Sequence, residues 1–551
     1  TEVLRDEWGF EGYVMSDWGA VNDRVRGLEA GLDLEMPASG GHTDAEIVAA
    51  VKDGTLDEAV LNRAVERILR IIFKFADDRR PGDFDKEKHD RLAEKIAEES
   101  MVLLKNDGLL PLPKAGKKIA FIGKFAQKPR FQGGGSSHIN SCKITGALAA
   151  AGQLPEITSD ITYAQGYDTA EDRTDPALLA EAVKAAEEAD VAVIFAGLPD
   201  AFESEGYDRS HMQMPECQNE LIREILRVQK NTVVVLHNGS PVEMPWAGDV
   251  NAILESYLCG QAVGAAQVRL LFGLANPCGK LAETIPLKLQ DNPSYLNFPG
   301  DGQTVEYKEG VFVGYRYYDT KEMDVRFPFG HGLSYTTFQY SDMQLSRDQL
   351  SDRDTLTVSL KVKNTGTVAG KEIVQLYVAD RTGAAGRPVK ELKNFTKVFL
   401  EPGQEKTVEM TLDKRSFAWY NTQIHDWYAA TGDYEILAGA SSRDIRLTRT
   451  VRFVTETQLP FHIHRNTTVA ELLADERTAP VIRSMMTSLA SDMTGGGDNS
   501  SEAASEAITP EMTLKMLENS PLRSFKSFSG LSEEELTSLI QTLQEAADTV
   551  R

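Results

Sequence analysis

The chain has 551 residues, 41% of them hydrophobic and 26% charged, which is enough chain for several packed globular domains. Its net charge of −24 argues against nucleic acid or an anionic membrane as a partner. No run of 18 or more apolar residues occurs, so the sequence offers no transmembrane helix.

Tyr13-Val14-Met15 reads as the end of a buried strand that delivers Asp17 to its C-terminal end. Trp18 follows, and Gly19 allows a sharp turn. In an α/β barrel this end of a strand carries the chemistry. A carboxylate beside an indole suits a sugar: the ring packs on the pyranose face while the carboxylate reaches the anomeric carbon. Read locally, Asp17 serves equally well as a helix N-cap.

Residues 1–75 read as the closing part of a barrel. They hold a helix over 24–30, a last strand over 32–37, a capped helix start at Thr43-Asp44-Ala45-Glu46 and a helix over 61–75. Without six partner strands this piece would expose apolar faces. Residues 76–116 are a charged linker with Pro81-Gly82, then a helix over 89–104.

Residues 117–335 alternate strands (119–122, 191–195, 233–236, 252–254) with helices (176–189, 218–228), the pattern of a mainly parallel sheet covered on both faces. Ligands bind such sheets at the C-terminal ends of the strands. Two loops there draw notice. Gly133-Gly134-Gly135-Ser136-Ser137 lacks the Lys of a P-loop and the spacing of a dinucleotide fingerprint, so it reads as a flexible turn or a ligand loop rather than a nucleotide site. Phe202 to Arg209 carries Glu203, Glu205, Asp208 and Arg209. Four charges in seven residues read as a solvated loop, or as a site; Asp208 and Arg209 read as a structural ion pair. Residues 313–318 read as an extended segment between domains.

Residues 336–455 alternate apolar and polar positions (Leu356, Val358, Leu360, Val362) between short turns, as a β-sandwich does. Residues 456–551 read as a helical tail, with helices over 469–473, 480–489 and from Ser532 to 547, and a Gly/Ser-rich linker over 494–507. The tail is expected to dock on the body or on a second subunit, which makes a homo-oligomer possible. Cys142, Cys217, Cys259 and Cys278 lie far apart with no C-x-x-C pair. That fits free thiols in a cytoplasmic compartment better than disulfides or zinc, with secretion left open.

The segment Trp8-Gly-Phe-Glu-Gly-Tyr-Val-Met-Ser-Asp-Trp-Gly-Ala resembles the nucleophile segment of family 3 glycoside hydrolases, the β-glucosidase family. Gln132-Gly-Gly-Gly-Ser-Ser, Glu205-Gly-Tyr-Asp-Arg, Gly239-Ser-Pro-Val-Glu, Asn276-Pro-Cys-Gly-Lys-Leu, Gly314-Tyr-Arg-Tyr-Tyr-Asp, Phe329-Gly-His-Gly-Leu-Ser-Tyr-Thr and Gly439-Ala-Ser-Ser-Arg-Asp-Ile resemble further landmarks of that family, in its order. The resemblance covers roughly the first 455 residues. It implies an α/β multidomain fold: the C-terminal remnant of a (β/α)8 barrel, an α/β sandwich, a fibronectin type III-like β-sandwich and the tail. The opening at what resembles a seventh barrel strand is expected to mean an N-terminally truncated fragment with little or no activity of its own.

The resemblance also assigns roles. Asp17 would be the nucleophile and Glu205 the general acid/base, with Glu203 the rival two residues away. Trp18 and Ser136 would touch the sugar. Such a carboxyl pair, about 5–5.5 Å apart, cleaves a β-glucoside with retention through a covalent glycosyl-enzyme. Asp17 and Glu205 belong to different domains, so the site is expected at a domain interface. Glu205 is expected to carry a proton at first, with a raised pKa. No metal or organic cofactor is expected. A β-xylosidase, an exo-glucanase and a non-catalytic carbohydrate-binding or assembly module are the alternatives.

Overall fold

The computed structural model describes residues 1–207, 209–486, 515 and 517–548. The chain divides into two compact units, Thr1–Lys86 and Glu87–Arg551.

In the first unit, α1 (Arg24–Ala30) starts at Asp23, whose carboxylate accepts the Arg26 N–H at 2.9 Å. That cap is Asp23, not Asp17. Helices α2 (His42–Asp53) and α3 (Glu58–Asp77) pack Ile47, Ala50 and Ala64 against Leu28 and Leu56 in a small core. The capped start expected at Thr43 is not formed. The N-cap position of α2 is Gly41, and Thr43, already inside the first turn, turns its hydroxyl back to Ser39 and Glu35.

The two expected strands meet at one parallel bridge, Met15 with Leu34, supported by Ser16 N–H to Leu34 O at 2.9 Å. Each segment has only the other beside it in this unit, so no longer ladder builds. Asp33 holds the pair together. Its buried carboxylate accepts Arg5 Nη2 at 2.7 Å, Arg67 Nη1 at 2.9 Å and the Val14 N–H at 2.9 Å. Trp8, Trp18, Phe73 and Phe75 are exposed, as apolar side chains of an open barrel segment would be.

The linker helix α4 (Lys86–Ser100) stops four residues short of the predicted end. Val102–Asn106 forms β1 instead, antiparallel to a later strand, β6. Val102, Leu103 and Leu104 are all buried. An apolar run with no polar face has no period to separate helix from strand, and the free sheet edge decides it.

The sheet is built from β2 (Lys118–Ile122), α5 (Lys124–Gln127), α6 (Ala147–Gln153), β3 (Asp160–Ala164), α7 (Pro176–Glu187), β4 (Val191–Gly197), α8 (Glu216–Val228), β5 (Thr232–His237), β6 (Ala252–Glu255) and α9 (Val263–Leu271). Strand order is β1-β6-β5-β4-β2-β3, with every pair parallel except β1 with β6. Every residue of β4 and β5 is buried, which is why these strands read as unbroken apolar runs. The C-terminal ends of β4, β5 and β6 therefore lie side by side.

Residues 313–318 are not extended. Gly314, at φ 55, turns the chain into α10 (Tyr315–Thr320). Tyr318 is buried, and Tyr315 stacks on Phe329 with ring centres 4.5 Å apart. Packing of the rings overrides their strand propensity.

Ten strands follow: β7 (Phe338–Leu345), β8 (Gln349–Ser351), β9 (Leu356–Asn364), β10 (Gly370–Asp380), β11 (Glu391–Leu400), β12 (Glu405–Leu412), β13 (Trp419–Asn421), β14 (Asp426–Tyr428), β15 (Gly432–Ser441) and β16 (Asp444–Val454). Sheets β11-β10-β15-β16-β8 and β12-β9-β7 close over a shared core. The alternating Leu356, Val358, Leu360 and Val362 face Val374, Leu376 and Ile436 there.

Glu99, at the end of α4, bridges Lys371 of β10 and Lys397 of β11, the latter at 2.9 Å. The hydrogen bond from Lys371 leads, joined by Lys397, in pulling the carboxyl from 4.5 to about 2 against its partial burial. A depressed carboxyl stabilises the fold above its unfolded pKa, and that contribution is lost as pH falls from about 4.5 through about 2. With partly solvated lysines the contribution is on the order of 1–2 kcal/mol. Between pH 5 and pH 2 the melting temperature is therefore expected to fall more steeply in the wild type than in Glu99→Gln; parallel curves would remove the assignment.

In the tail, α12 (Val469–Ala474) opens with a capping box between Thr468 and Glu471, and residues 479–486 are helical. The last helix, Glu533–Asp548, is capped by Ser532, which exchanges bonds with Glu535. Its apolar face is not left for a partner. Leu536, Leu543 and Ala547 are buried in the tail's own core with Leu472, Ile482 and Phe525. The linker expected over 494–507 and the end of the helix expected over 480–489 lie outside the described residues. Among the described residues no helix is long and apolar enough to cross a membrane.

Candidate active site

Asp17 and Trp18 stand in the first unit, just beyond the Met15–Leu34 bridge. Both are exposed, Trp18 at 65%. Among the described residues the Asp17 carboxylate accepts one bond, from the Trp18 N–H at 2.6 Å. Nothing else ties up its oxygens, so the group is free to meet a ligand.

Ser136 and Glu205 stand in the second unit and are brought together. The Ser136 N–H and hydroxyl both donate to Glu205 Oε2, the hydroxyl at 2.5 Å. The glycine run makes this approach possible. A Cβ on Gly134 would collide with Ser204, and one on Gly135 (φ 79) with Glu205 itself. Both side chains border an open hollow of about 500 Å³ at the C-terminal edge of the parallel sheet, with Arg130, Glu203 and Tyr207.

Glu205 departs from one expectation. Its carboxyl is lowered, not raised, because the Ser136 hydroxyl and then its N–H stabilise the ionised form and burial opposes them only weakly. In this open arrangement Glu205 is a carboxylate. A sugar that excluded water and took over the Ser136 bonds would push the group back toward the protonated form.

Glu203 is placed quite differently. It accepts from Arg130 Nη1 at 2.6 Å, from the Gly239 N–H at 2.7 Å and from the Ser240 hydroxyl. Burial pushes its carboxyl up, but Ser240, Gly239 and Arg130 together hold it below the ordinary value. With its oxygens committed, Glu203 anchors the loop, while Glu205 reaches the hollow. Arg130 closes the clamp by also donating to the Leu198 and Glu203 carbonyls at 2.9 and 2.6 Å. The expected Asp208–Arg209 pair cannot be drawn, since Asp208 lies outside the described residues. Arg209 donates to Ser240 Oγ at 2.8 Å and Pro241 O at 3.1 Å.

Sequence reasoning missed the Arg130–Glu203–Ser240 clamp. Its one legible trace was Gly239-Ser240 among the quoted landmarks; Arg130 has nothing to set it apart from Lys128 two residues earlier. Among the described residues no group of three or more His, Cys, Asp or Glu is placed to hold a metal ion.

The second unit is thus a mainly parallel α/β sheet with an acid-bearing hollow at the C-terminal edge, where such sheets bind ligands, followed by a β-sandwich. Residues 1–71 match the glycosyl hydrolase family 3 N-terminal domain, 101–335 the glycosyl hydrolase family 3 C-terminal domain and 372–442 a fibronectin type III-like domain. The chain belongs to glycosyl hydrolase family 3. It is 52% identical to thermostable β-glucosidase B of Acetivibrio thermocellus over 98% of this chain and 71% of that protein. It is 47% identical to an exo-α-(1→6)-L-arabinopyranosidase of Bifidobacterium breve over 82% of this chain and 60% of that one. A crystal structure of a Bifidobacterium adolescentis family 3 β-glucosidase superposes with a TM-score of 0.81 at 43% identity, over 88% of this chain and 70% of that one.

Proposed function

We propose that the protein is a retaining, exo-acting β-glucosidase that releases terminal non-reducing β-D-glucosyl residues. The observation that carries the reading is the free Glu205 carboxylate, held by Ser136 at the rim of the hollow while its neighbour Glu203 is consumed by the clamp. The names of the A. thermocellus and B. adolescentis relatives support glucose as the sugar.

In this mechanism Asp17 attacks the anomeric carbon as Glu205 protonates the departing oxygen, giving a glycosyl ester on Asp17. Glu205, now a carboxylate, takes a proton from water, which attacks the same carbon and frees Asp17. Trp18 supplies an apolar face for the sugar ring. No step calls for a cofactor.

The exposure of Asp17 and Trp18 supports a further proposal, that these 551 residues alone have little or no glycosidase activity, because side chains so open to solvent hold a sugar in no fixed orientation. A cytoplasmic location, supported by four unpaired cysteines, is proposed with it.

The test is hydrolysis of nitrophenyl β-D-glucoside, β-D-xyloside and α-L-arabinopyranoside, by the chain alone and fused to the part of the A. thermocellus relative outside the matched span. The glucoside is expected to give the highest kcat/KM, and the fusion the higher rate. A preference for xyloside or arabinopyranoside overturns the sugar assignment. Sugar binding without hydrolysis in both preparations overturns the enzyme reading in favour of a binding module.

A further inference from the structure

Behind the Glu205 loop lies a second acid that the proposed mechanism does not use. Glu255 closes β6 and is fully buried. One of its oxygens accepts the Tyr257 N–H at 2.9 Å, with Tyr257 held at φ 52. The other meets the Asn238 amide at 3.2 Å, and that amide also donates to the Ser240 carbonyl at 3.0 Å. Residues 238–240 are the turn whose Gly239 N–H and Ser240 hydroxyl grip Glu203. The chain of contacts therefore runs from Glu255 through Asn238 and Ser240 to Glu203, two residues before Glu205.

The surroundings favour a neutral Glu255. The charges acting on it, among the described residues, are Glu203 from the loop after β4 and Glu283 from the segment after α9, both of like sign. Tyr257 and Cys259 flank it beyond β6. At the end of the adjoining β5, His237 is buried and neutral, bonded to the Arg130 carbonyl at 3.0 Å and to Gln267 at 2.9 Å. Burial, abetted by Glu283 and Glu203, outweighs the Tyr257 and Asn238 bonds and pushes the Glu255 carboxyl up to about 8.

We propose that protonated Glu255 is a positioning residue for the acid/base loop: it holds Asn238, and through the 238–240 turn it keeps Glu203, and hence Glu205, in place. Ionisation would set a carboxylate without a cationic partner behind Glu203 in a dry interior, where such a charge is strongly disfavoured. The turn then yields, and the loop loosens. The link to catalysis rests on Glu205 being the acid/base; the link to loop order does not.

The experiment is hydrogen exchange of the 551-residue chain, comparing wild type with Glu255→Gln, a neutral isostere, at each pH so that intrinsic exchange cancels. At pH 6, amides of 203–207 and 238–240 are expected to exchange alike in the two proteins. At pH 9, one unit above about 8, ionised Glu255 outnumbers neutral roughly ten to one, and the wild type is expected to exchange at least about five-fold faster. In a preparation that hydrolyses aryl glucosides, Glu255→Gln is expected to move the alkaline limb of kcat upward, whereas Glu255→Ala loses rate at every pH. Equal exchange at pH 9, or a Gln variant as loose as the Ala variant at pH 6, overturns the proposal. Absence of hydrolysis with the exchange difference intact overturns the enzyme reading and leaves the loop role standing.

Discussion

Asp17→Ala is expected to cost on the order of 10⁴-fold or more in kcat on aryl β-glucosides, in a preparation that turns them over, while leaving the fold intact. Removing a residue that forms the covalent intermediate leaves no alternative route of similar barrier, and such losses run to roughly 10⁴–10⁶-fold. The stability half of the expectation comes from the structure. Asp17 is exposed and, among the described residues, its carboxylate bonds only the N–H of the next residue, so truncation should change unfolding free energy by no more than about 0.5 kcal/mol. Asp33 is the contrast in the same unit. Its buried carboxylate serves Arg5, Arg67 and the Val14 N–H, and Asp33→Ala is expected to destabilise by about 3–5 kcal/mol. Matched activity assays and denaturant unfolding separate the two. An Asp17→Ala protein that unfolds as easily as Asp33→Ala would show that Asp17 is structural, and one that keeps a tenth of its activity would show that Asp17 is not the nucleophile.

The difference between those two aspartates was only partly legible in the sequence. Asp17 stood out because an apolar run, an aromatic and a glycine surround it. Asp33 sits in Leu32-Asp33-Leu34, where alternation would place a strand's solvent face, and its arginine partners are 28 and 34 residues away. The same limit recurs throughout. β4 and β5 were legible as unbroken apolar runs, and β9 as strict alternation, because burial on two faces or one leaves a period. β1 has the apolar run but no period, and β3, on the sheet edge with one fully buried residue, has too weak a pattern to separate from loop. In the site, Glu205 and Ser136 were singled out by the resemblance of their segments to family 3 landmarks, since the glycine run and the acidic loop by themselves read equally well as a turn and a solvated loop. Their carboxylate–hydroxyl bond spans 69 residues, and the Arg130–Glu203 clamp that fixes the loop spans 73. Glu255 lies one residue past the predicted end of β6, as a single polar residue closing an apolar stretch. Contacts of that range follow from strand order, which local pattern does not carry.

Glu205→Ala should separate the two halves of the reaction by leaving group. A general acid contributes about 10²–10⁴-fold when the departing oxygen needs a proton, and far less when it leaves as a stable phenolate. Cellobiose hydrolysis is therefore expected to fall by roughly that factor. Dinitrophenyl glucoside should still glycosylate Asp17 quickly, giving a burst followed by a stall, because the water that must release the sugar has lost its base. Azide needs no base, so adding it should restore turnover and yield β-glucosyl azide, formed by displacing the Asp17 ester on the face the leaving group vacated. In Asp17→Ala no ester forms, and azide can give only the α-product. Glu203→Ala is the decisive control. Its carboxylate is committed to Arg130, Gly239 and Ser240, so its removal leaves the Arg130 guanidinium, among the described residues, with the exposed Asp200 as its one charge partner. That variant should lose stability, and its residual activity should not respond to azide. Azide rescue with β-product in Glu203→Ala and none in Glu205→Ala would move the acid/base two residues upstream; rescue in neither would place it outside this loop.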